Sequence, residues 1–258
     1  MKRLLSFSAG LVAAAVLAHA ASAQTTVTSV NVVGFQVSDS PSNSLAMYSM
    51  PFVPMDGDSS ITNLFASELT GGNNAASGDN VQFWDASLQQ YVLTYKSTLI
   101  GFDGWRYANL SVANEDLSIG RGFWLISKQN VDQTLNMSGE IVTDNTVTQQ
   151  VLVGLNMLSY PYNAEIDITN TVLDTVVTEG LNLAAADNII RWDIATQTYQ
   201  TFYKSTLFPG SPAAPVWVNA NDIFTPVALN LKQGEGFWLQ RKAANGATTW
   251  VETKPYSL

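Results

Sequence analysis

Cysteine is absent from this chain, and histidine occurs once, at His19. Without a thiol there is no cysteine nucleophile, and one histidine near the start supports no Ser-His-Asp relay. Zinc and copper sites built from His and Cys are excluded on the same ground. Charge is scarce as well, at 13% of residues, so the polar surface must come mostly from Asn, Gln, Ser and Thr. Long apolar runs are missing. Leu11 to Ala18 is too short to cross a bilayer, and no later stretch approaches the roughly 18 residues a spanning helix needs. What survives is carboxylate chemistry, oxygen-ligand metals such as calcium, and binding without reaction.

The start of the chain reads as a secretory signal peptide over residues 1–23. Lys2 and Arg3 precede the apolar run, and Ala21-Ser22-Ala23 is a small-x-small cleavage site before Gln24. A secreted or cell-envelope protein, cleaved after Ala23 and with no transmembrane segment, is therefore expected. Cleavage removes His19 and two cations. Ten Lys and Arg then face 21 Asp and Glu, which moves the net charge from -9 to -11. Such an acidic surface repels phosphate backbones and argues against nucleic acid as a partner.

The remaining chain repeats itself. Residues 79–99 and 187–207 align without a gap at an offset of 108, with 11 of 21 positions identical. Gly120-Arg121-Gly122-Phe123-Trp124-Leu125 returns as Gly234-Glu235-Gly236-Phe237-Trp238-Leu239, and Met47-Tyr48-Ser49-Met50-Pro51 as Met157-Leu158-Ser159-Tyr160-Pro161. The period is too long for a solenoid unit and suits a whole small module. Valine-rich Thr26–Val37 reads as a first strand, and further strands are expected at 81–85, 90–95, 123–127, 134–137, 189–193, 198–203, 236–241 and 248–251. Apolar residues at helical spacing predict one short helix in 60–69 and another in 167–177. The fold expected is mainly β: two tandem β-sandwich or small-barrel modules, 24–139 and 140–258, each with one helix.

The repeated residues have both structural and functional readings. Trp84 with Tyr91, and Trp192 with Tyr199, are expected to meet across hairpins, as core or as a sugar-stacking platform. Gly-x-Gly-Phe-Trp-Leu lacks the third glycine and following helix of a nucleotide loop. Its three consecutive apolar residues mean either a strand covered on both faces or a displayed indole, Trp124 and Trp238. Trp105 and Trp217 lie on segments of different length, which makes them candidates for exposed, ligand-binding aromatics. Lys96 and Lys204 are candidate ligand contacts, or partners of Asp85 and Asp193 within their hairpins. Asp56-Gly57-Asp58-Ser59 resembles half of a calcium loop without its other ligands, so no metal site and no cofactor is expected. Asp103, Glu115 and Asp116 are the acids available for glycosidase chemistry, with Asp222 in the second copy.

The order Met-x-Ser-x-Pro, Trp-Asp, then Gly-x-Gly-Phe-Trp-Leu resembles β-rich modules of exported bacterial proteins of verrucomicrobial type, where an opening like Ser29-Val30-Asn31-Val32-Val33-Gly34-Phe35 also occurs. The resemblance implies an exported surface or accessory module and transfers no catalytic residue. The expected function is non-catalytic: adhesion, matrix or envelope interactions, with a polysaccharide or another envelope component as partner. Carbohydrate binding through exposed aromatics, and self-association by addition of the first strand to another subunit's sheet, are the competing expectations.

Overall fold

The computed structural model describes residues 32–65, 68–207 and 215–257. The expected signal peptide, the start of the first strand and part of the loop before Trp217 lie outside the described residues. Val33–Leu258 forms one compact unit.

In the first half, β1 (Val33–Ser40) pairs antiparallel with β7 (Gln133–Glu140) as a separate ribbon. Between them come β2 (Leu45–Ser49), β3 (Asn80–Asp85), β4 (Gln90–Ser97), β5 (Gly104–Tyr107) and β6 (Gly122–Ile126). They form a sheet of order β2-β6-β3-β4-β5. In the second half, β8 (Thr146–Val151) pairs with β17 (Thr248–Thr253). The main sheet uses β9 (Gly154–Ser159), β11 (Asn188–Asp193), β12 (Thr198–Ser205), β13 (Val216–Asn219), β14 (Asp222–Pro226) and β16 (Gly236–Arg241). Its order is β9-β16-β11-β12-β13-β14. A short pair, β10 (Ile166–Asp167) with β15 (Asn230–Leu231), lies beside it. Apart from β14 and this pair, the halves share one strand order, each closing its first strand on its last. The fold is mainly β and of sandwich type. No helix among the described residues is long and apolar enough to cross a membrane.

Helix is minor and differs between the halves. Ser60 caps α1 (Ile61–Leu64), its side chain accepting from the Asn63 N–H. The single helix expected over 167–177 is instead broken into a 3₁₀ turn (Ile168–Asn170) and α2 (Leu173–Val176). Ile168, Thr169, Thr171, Val172, Thr175 and Val176 are β-branched and lose χ1 freedom in a helix. Thr171 also bonds its own turn, Oγ1 to the Ile168 carbonyl at 2.6 Å, while its backbone turns extended.

Each main sheet buries both faces. Ala46, Tyr48, Val81, Phe83, Phe123 and Leu125 point to a core closed by Ile61, Phe65, Leu135 and Met137. The second half repeats this with Leu158, Tyr160, Ile189, Phe237 and Leu239 under Ile168, Leu173 and Trp250. The other faces present Met47, Trp84 and Trp124, and Met157, Trp192 and Trp238, to each other. The successive Phe-Trp-Leu residues therefore mark strands covered on both sides.

Two core tyrosines add a pH dependence. Burial pushes the Tyr48 phenol up to about 12, helped by the Asp39 charge. Burial does the same for Tyr162, with Tyr256 next in effect. A raised folded-state value means the fold holds the neutral phenol. That stability is complete below the unfolded value near pH 10 and is lost as pH rises towards 12. Unfolding midpoints measured from pH 8 to 12 should hold to about pH 10 and then fall as phenolate absorbance grows. Leu125, fully buried, should cost about 3 kcal/mol when changed to Ala, whereas exposed Leu88→Ala should stay within about 0.5 kcal/mol in denaturant titrations.

Candidate functional site

The repeated residues converge on the joint between the two main sheets. The hairpin β3–β4 turns through Ala86–Gln89, and Asp85 Oδ1 accepts from the backbone N–H groups of Ser87 (2.9 Å) and Leu88 (3.1 Å). Asp193 does the same for Ala195 (3.0 Å) and Thr196 (3.1 Å). Each turn closes on a glutamine in the left-handed region, Gln89 and Gln197, both with φ of 52°. That conformation is uncommon for a residue with a Cβ, and here it aims the amide at the opposite half.

Gln89 receives the Leu155 N–H on Oε1 at 2.8 Å and donates from Nε2 to the Leu155 carbonyl at 3.0 Å. Trp84 Nε1 donates to that same carbonyl at 2.7 Å. The reciprocal set is complete: Leu45 N–H to Gln197 Oε1 at 3.0 Å, Gln197 Nε2 to the Leu45 carbonyl at 3.1 Å, Trp192 Nε1 to it at 2.8 Å. Trp84 stands edge-on to Trp238, ring centres 5.2 Å apart, and Trp192 edge-on to Trp124 at 5.3 Å. Tyr91 and Tyr199 pack against Trp84 (4.9 Å) and Trp192 (4.7 Å), as expected of each hairpin, and each also meets the indole of β16 or β6. Ser49 N–H bonds the Gly234 carbonyl at 3.0 Å and Ser159 N–H the Gly120 carbonyl at 2.9 Å. Each of these contacts occurs twice, as in an isologous dimer interface.

Glycine permits this approach. A Cβ on Gly236 would lie 2.7 Å from the Tyr48 carbonyl oxygen, and one on Gly122 2.9 Å from Met157 Cγ and 3.0 Å from the Leu158 carbonyl oxygen. The Gly-x-Gly pairs are thus spacers between sheets.

The candidate ligand-binding tryptophans are all withdrawn from solvent. Trp105, Trp217, Trp124 and Trp238 are 2–3% exposed, and the other three tryptophans are buried or half-buried. These four offer no free face for stacking, which corrects the expectation of exposed indoles at those positions, whereas partly exposed Trp192 lines a cleft. Trp105 and Trp217 sit on β5 and β13 and point into the cores, because the changing loop lies outside those short strands. Trp217 Nε1 donates to Asp174 Oδ1 at 2.7 Å.

Lys96 and Lys204 do not pair with Asp85 and Asp193. Lys96 stands six residues beyond Gln90, roughly 20 Å along the strand from the turn. Its Nζ donates to the Leu69 carbonyl at 2.7 Å, and burial lowers its pKa against the charges of Asp79 and Glu68. Lys204 pairs with Asp174 at 2.7 Å. Lys96 thus anchors the segment after α1, and Lys204 anchors α2 itself.

Two acids that sequence reasoning passed over tie the far end of each hairpin. Asp79 and Asp187 are fully buried. Asp79 accepts from the N–H of Thr70 (2.7 Å) and Lys128 (2.8 Å) and from Gln133 Nε2 (3.2 Å). Asp187 takes Thr178 N–H (2.8 Å), Lys242 N–H (2.7 Å), Asn245 Nδ2 (2.9 Å) and the Arg241 guanidinium (2.6 Å). The signal was present: an acid opening the repeated segment immediately before an apolar strand.

Of the acids considered for catalysis, Glu115, Asp116 and Asp222 are engaged locally, while Asp103 is exposed. Glu115 pairs with Arg121 at 3.0 Å and accepts from the Tyr107 hydroxyl at 2.9 Å. Asp116 accepts from Ser59 Oγ, and Asp222 Oδ1 from the Phe224 N–H at 3.3 Å. Asp56 receives Asp58 N–H and Asn63 Nδ2, as a turn, and no group of acids among the described residues is arranged to hold a metal. A cleft of about 430 Å³ is lined by Arg191, Trp192, Asp193, Ile194, Gln200, Lys232 and Glu235. Its two acids are both committed, Glu235 to Arg191 at 2.6 Å and Asp193 to its turn.

Compared with family models, with curated proteins and with solved structures, the chain matches none.

The joint predicts a specific energetic coupling. Trp84→Ala and Trp238→Ala should each cost about 3–5 kcal/mol. The double variant should cost less than their sum by about 0.5–1.5 kcal/mol, the worth of one edge-on ring pair. Trp84→Ala with Trp217→Ala, which share no ring contact, should come closer to additivity in the same urea titrations.

Proposed function

We propose that this is an exported, non-catalytic protein that acts in adhesion, matrix or envelope interactions. One observation carries the reading: the tryptophans, lysines and acids that recur in both halves are spent on holding the fold. A catalytic site would need an acid, base or nucleophile left available beside a cavity. In the cleft of the second half both acids are already bonded, and the chain without residues 1–23 contains neither His nor Cys. An acidic, Asn- and Thr-rich surface on a rigid double-sheet scaffold suits contact with extended polymers rather than turnover of a small substrate. Export rests on the sequence of residues 1–23.

Carbohydrate remains one class of partner within this reading, though not through the four indoles first considered. Half-exposed Tyr91 and Tyr199 are the aromatic rings left at the rim of the joint.

The chain without residues 1–23 should be retained on at least one of a panel of insoluble polysaccharides and isolated envelope or matrix fractions, and should release no product from them. Hydrolysis of any panel member would overturn the non-catalytic reading. Absence of retention throughout would remove adhesion.

A further inference from the structure

We propose that the protein associates with a second copy of itself through β1, the two β1 strands pairing antiparallel edge to edge about a two-fold axis. The reading goes beyond adhesion and does not depend on it, since a homotypic contact can exist whatever the protein adheres to.

β1 is inside-out. Val33, Phe35 and Val37 point outward with 54%, 63% and 53% of their surface exposed, while Gly34, Gln36 and Ser38 alternate on the inner side. Gln36 Oε1 is buried without a hydrogen-bond partner. Water alone would select the opposite assignment, because a one-residue slip puts the apolar set inside. The slip is barred: Gly34 lies against the Phe52 ring so closely that an added Cβ would fall 2.0 Å from it, leaving no room for Val33 or Phe35 on that side.

The matching strand of the second half isolates what is special. β8 shows Thr146, Thr148 and Gln150 outward and turns Val147, Gln149 and Val151 inward. The same place in the same strand order is thus polar in one half and apolar in the other. β14, an edge strand of the second main sheet, is blunted by Asp222 and Pro226. β1 carries neither a charge nor a proline from Val33 to Ser38. Its backbone pairs with β7 alone in the ribbon, and no other backbone bond from residues 33–38 occurs among the described residues. An apolar, uncharged edge with unpaired N–H and C=O groups is a template for strand addition.

Two features select a second copy as the occupant. The stripe Val33-x-Phe35-x-Val37 reads the same in both directions about Phe35, and an isologous contact requires one patch to complement itself. A two-fold at Phe35 sets Phe35 opposite Phe35 and Val33 opposite Val37, six apolar side chains on one face of a four-stranded sheet. Charge selects likewise. A chain of net charge -9 repels its own copies, and β1 is a strip where two copies can meet without opposing acids. One strand pair buries less than a standard interface, so the dimer is weak and forms with rising concentration.

Analytical ultracentrifugation of the chain without residues 1–23, over a wide concentration range, tests this. The sedimentation-average mass should rise from monomer to dimer, and hydrogen exchange at residues 33–38 should slow as it does. Phe35→Lys sets two cations face to face and should weaken the dimer by about tenfold or more. Val37→Thr, nearly isosteric, should weaken it less, and Thr148→Lys on β8 should leave it unchanged. Unfolding midpoints equal to the parent's show that the variants fold. A monomer at every concentration overturns the proposal, and so does a dimer that neither β1 variant weakens. Either result leaves the adhesion reading standing, which the retention panel tests separately.

Discussion

The crosswise pairing of indoles between the two main sheets is the constraint on which the rest of the structure depends. Trp84 reaches Trp238 and Trp192 reaches Trp124, so each half supplies one ring from its hairpin and one from the neighbouring strand, β6 or β16. Edge-on rings must be held at a set separation, which explains the glycines where the sheets approach and the indole N–H bonds to Leu155 and Leu45. It also explains the composition of the sheets. A sheet with one face in its own core and the other in the joint has no polar side, so strands such as β6 and β16 carry three large apolar residues in succession.

The scarce charges serve the same end. In a chain with few cations, Arg241 and Lys204 are committed to Asp187 and Asp174, and Arg121 to Glu115 with its guanidinium 4.3 Å from the Phe83 ring centre. Buried carboxylates are tolerated because they collect backbone N–H donors that would otherwise be orphaned between loops and strands. The halves diverge in how they do this. Asp187 has a guanidinium where Asp79 makes do with the Gln133 amide. Arg191 occupies the strand position of Phe83 and finds Glu235 where the first half has Arg121. The shared scaffold outlasts these exchanges, because shape and ring packing, rather than any one ion pair, set the spacing of the sheets.

Much of the β framework was legible in the sequence, since alternation and turn residues are local. The hairpins at Asp85–Gln90 and Asp193–Thr198, the strands containing Phe123 and Phe237, and the meeting of Trp84 with Tyr91 all follow from patterns a few residues long. The short strands β5 and β13 did not, because four residues beside Gly104 or Val216 become extended only when β4 and β12 offer them an edge. The break between the 3₁₀ turn and α2 was foreshadowed by β-branched residues, yet periodicity alone suggested one helix. The roles of Gln89 and Gln197 were hidden, since a left-handed glutamine gains its meaning from a partner more than 60 residues away.

By itself, the sequence determined the class of fold, the recurrence of its segments and the absence of cysteine, because composition and period are properties of the chain alone. Only the tertiary structure decided where the repeated indoles point. A strand has two faces that periodicity cannot tell apart, and which one meets solvent depends on what packs against it. Here the second sheet covers the tryptophans, while β1, with Phe52 beneath Gly34, leaves its valines and phenylalanine in water.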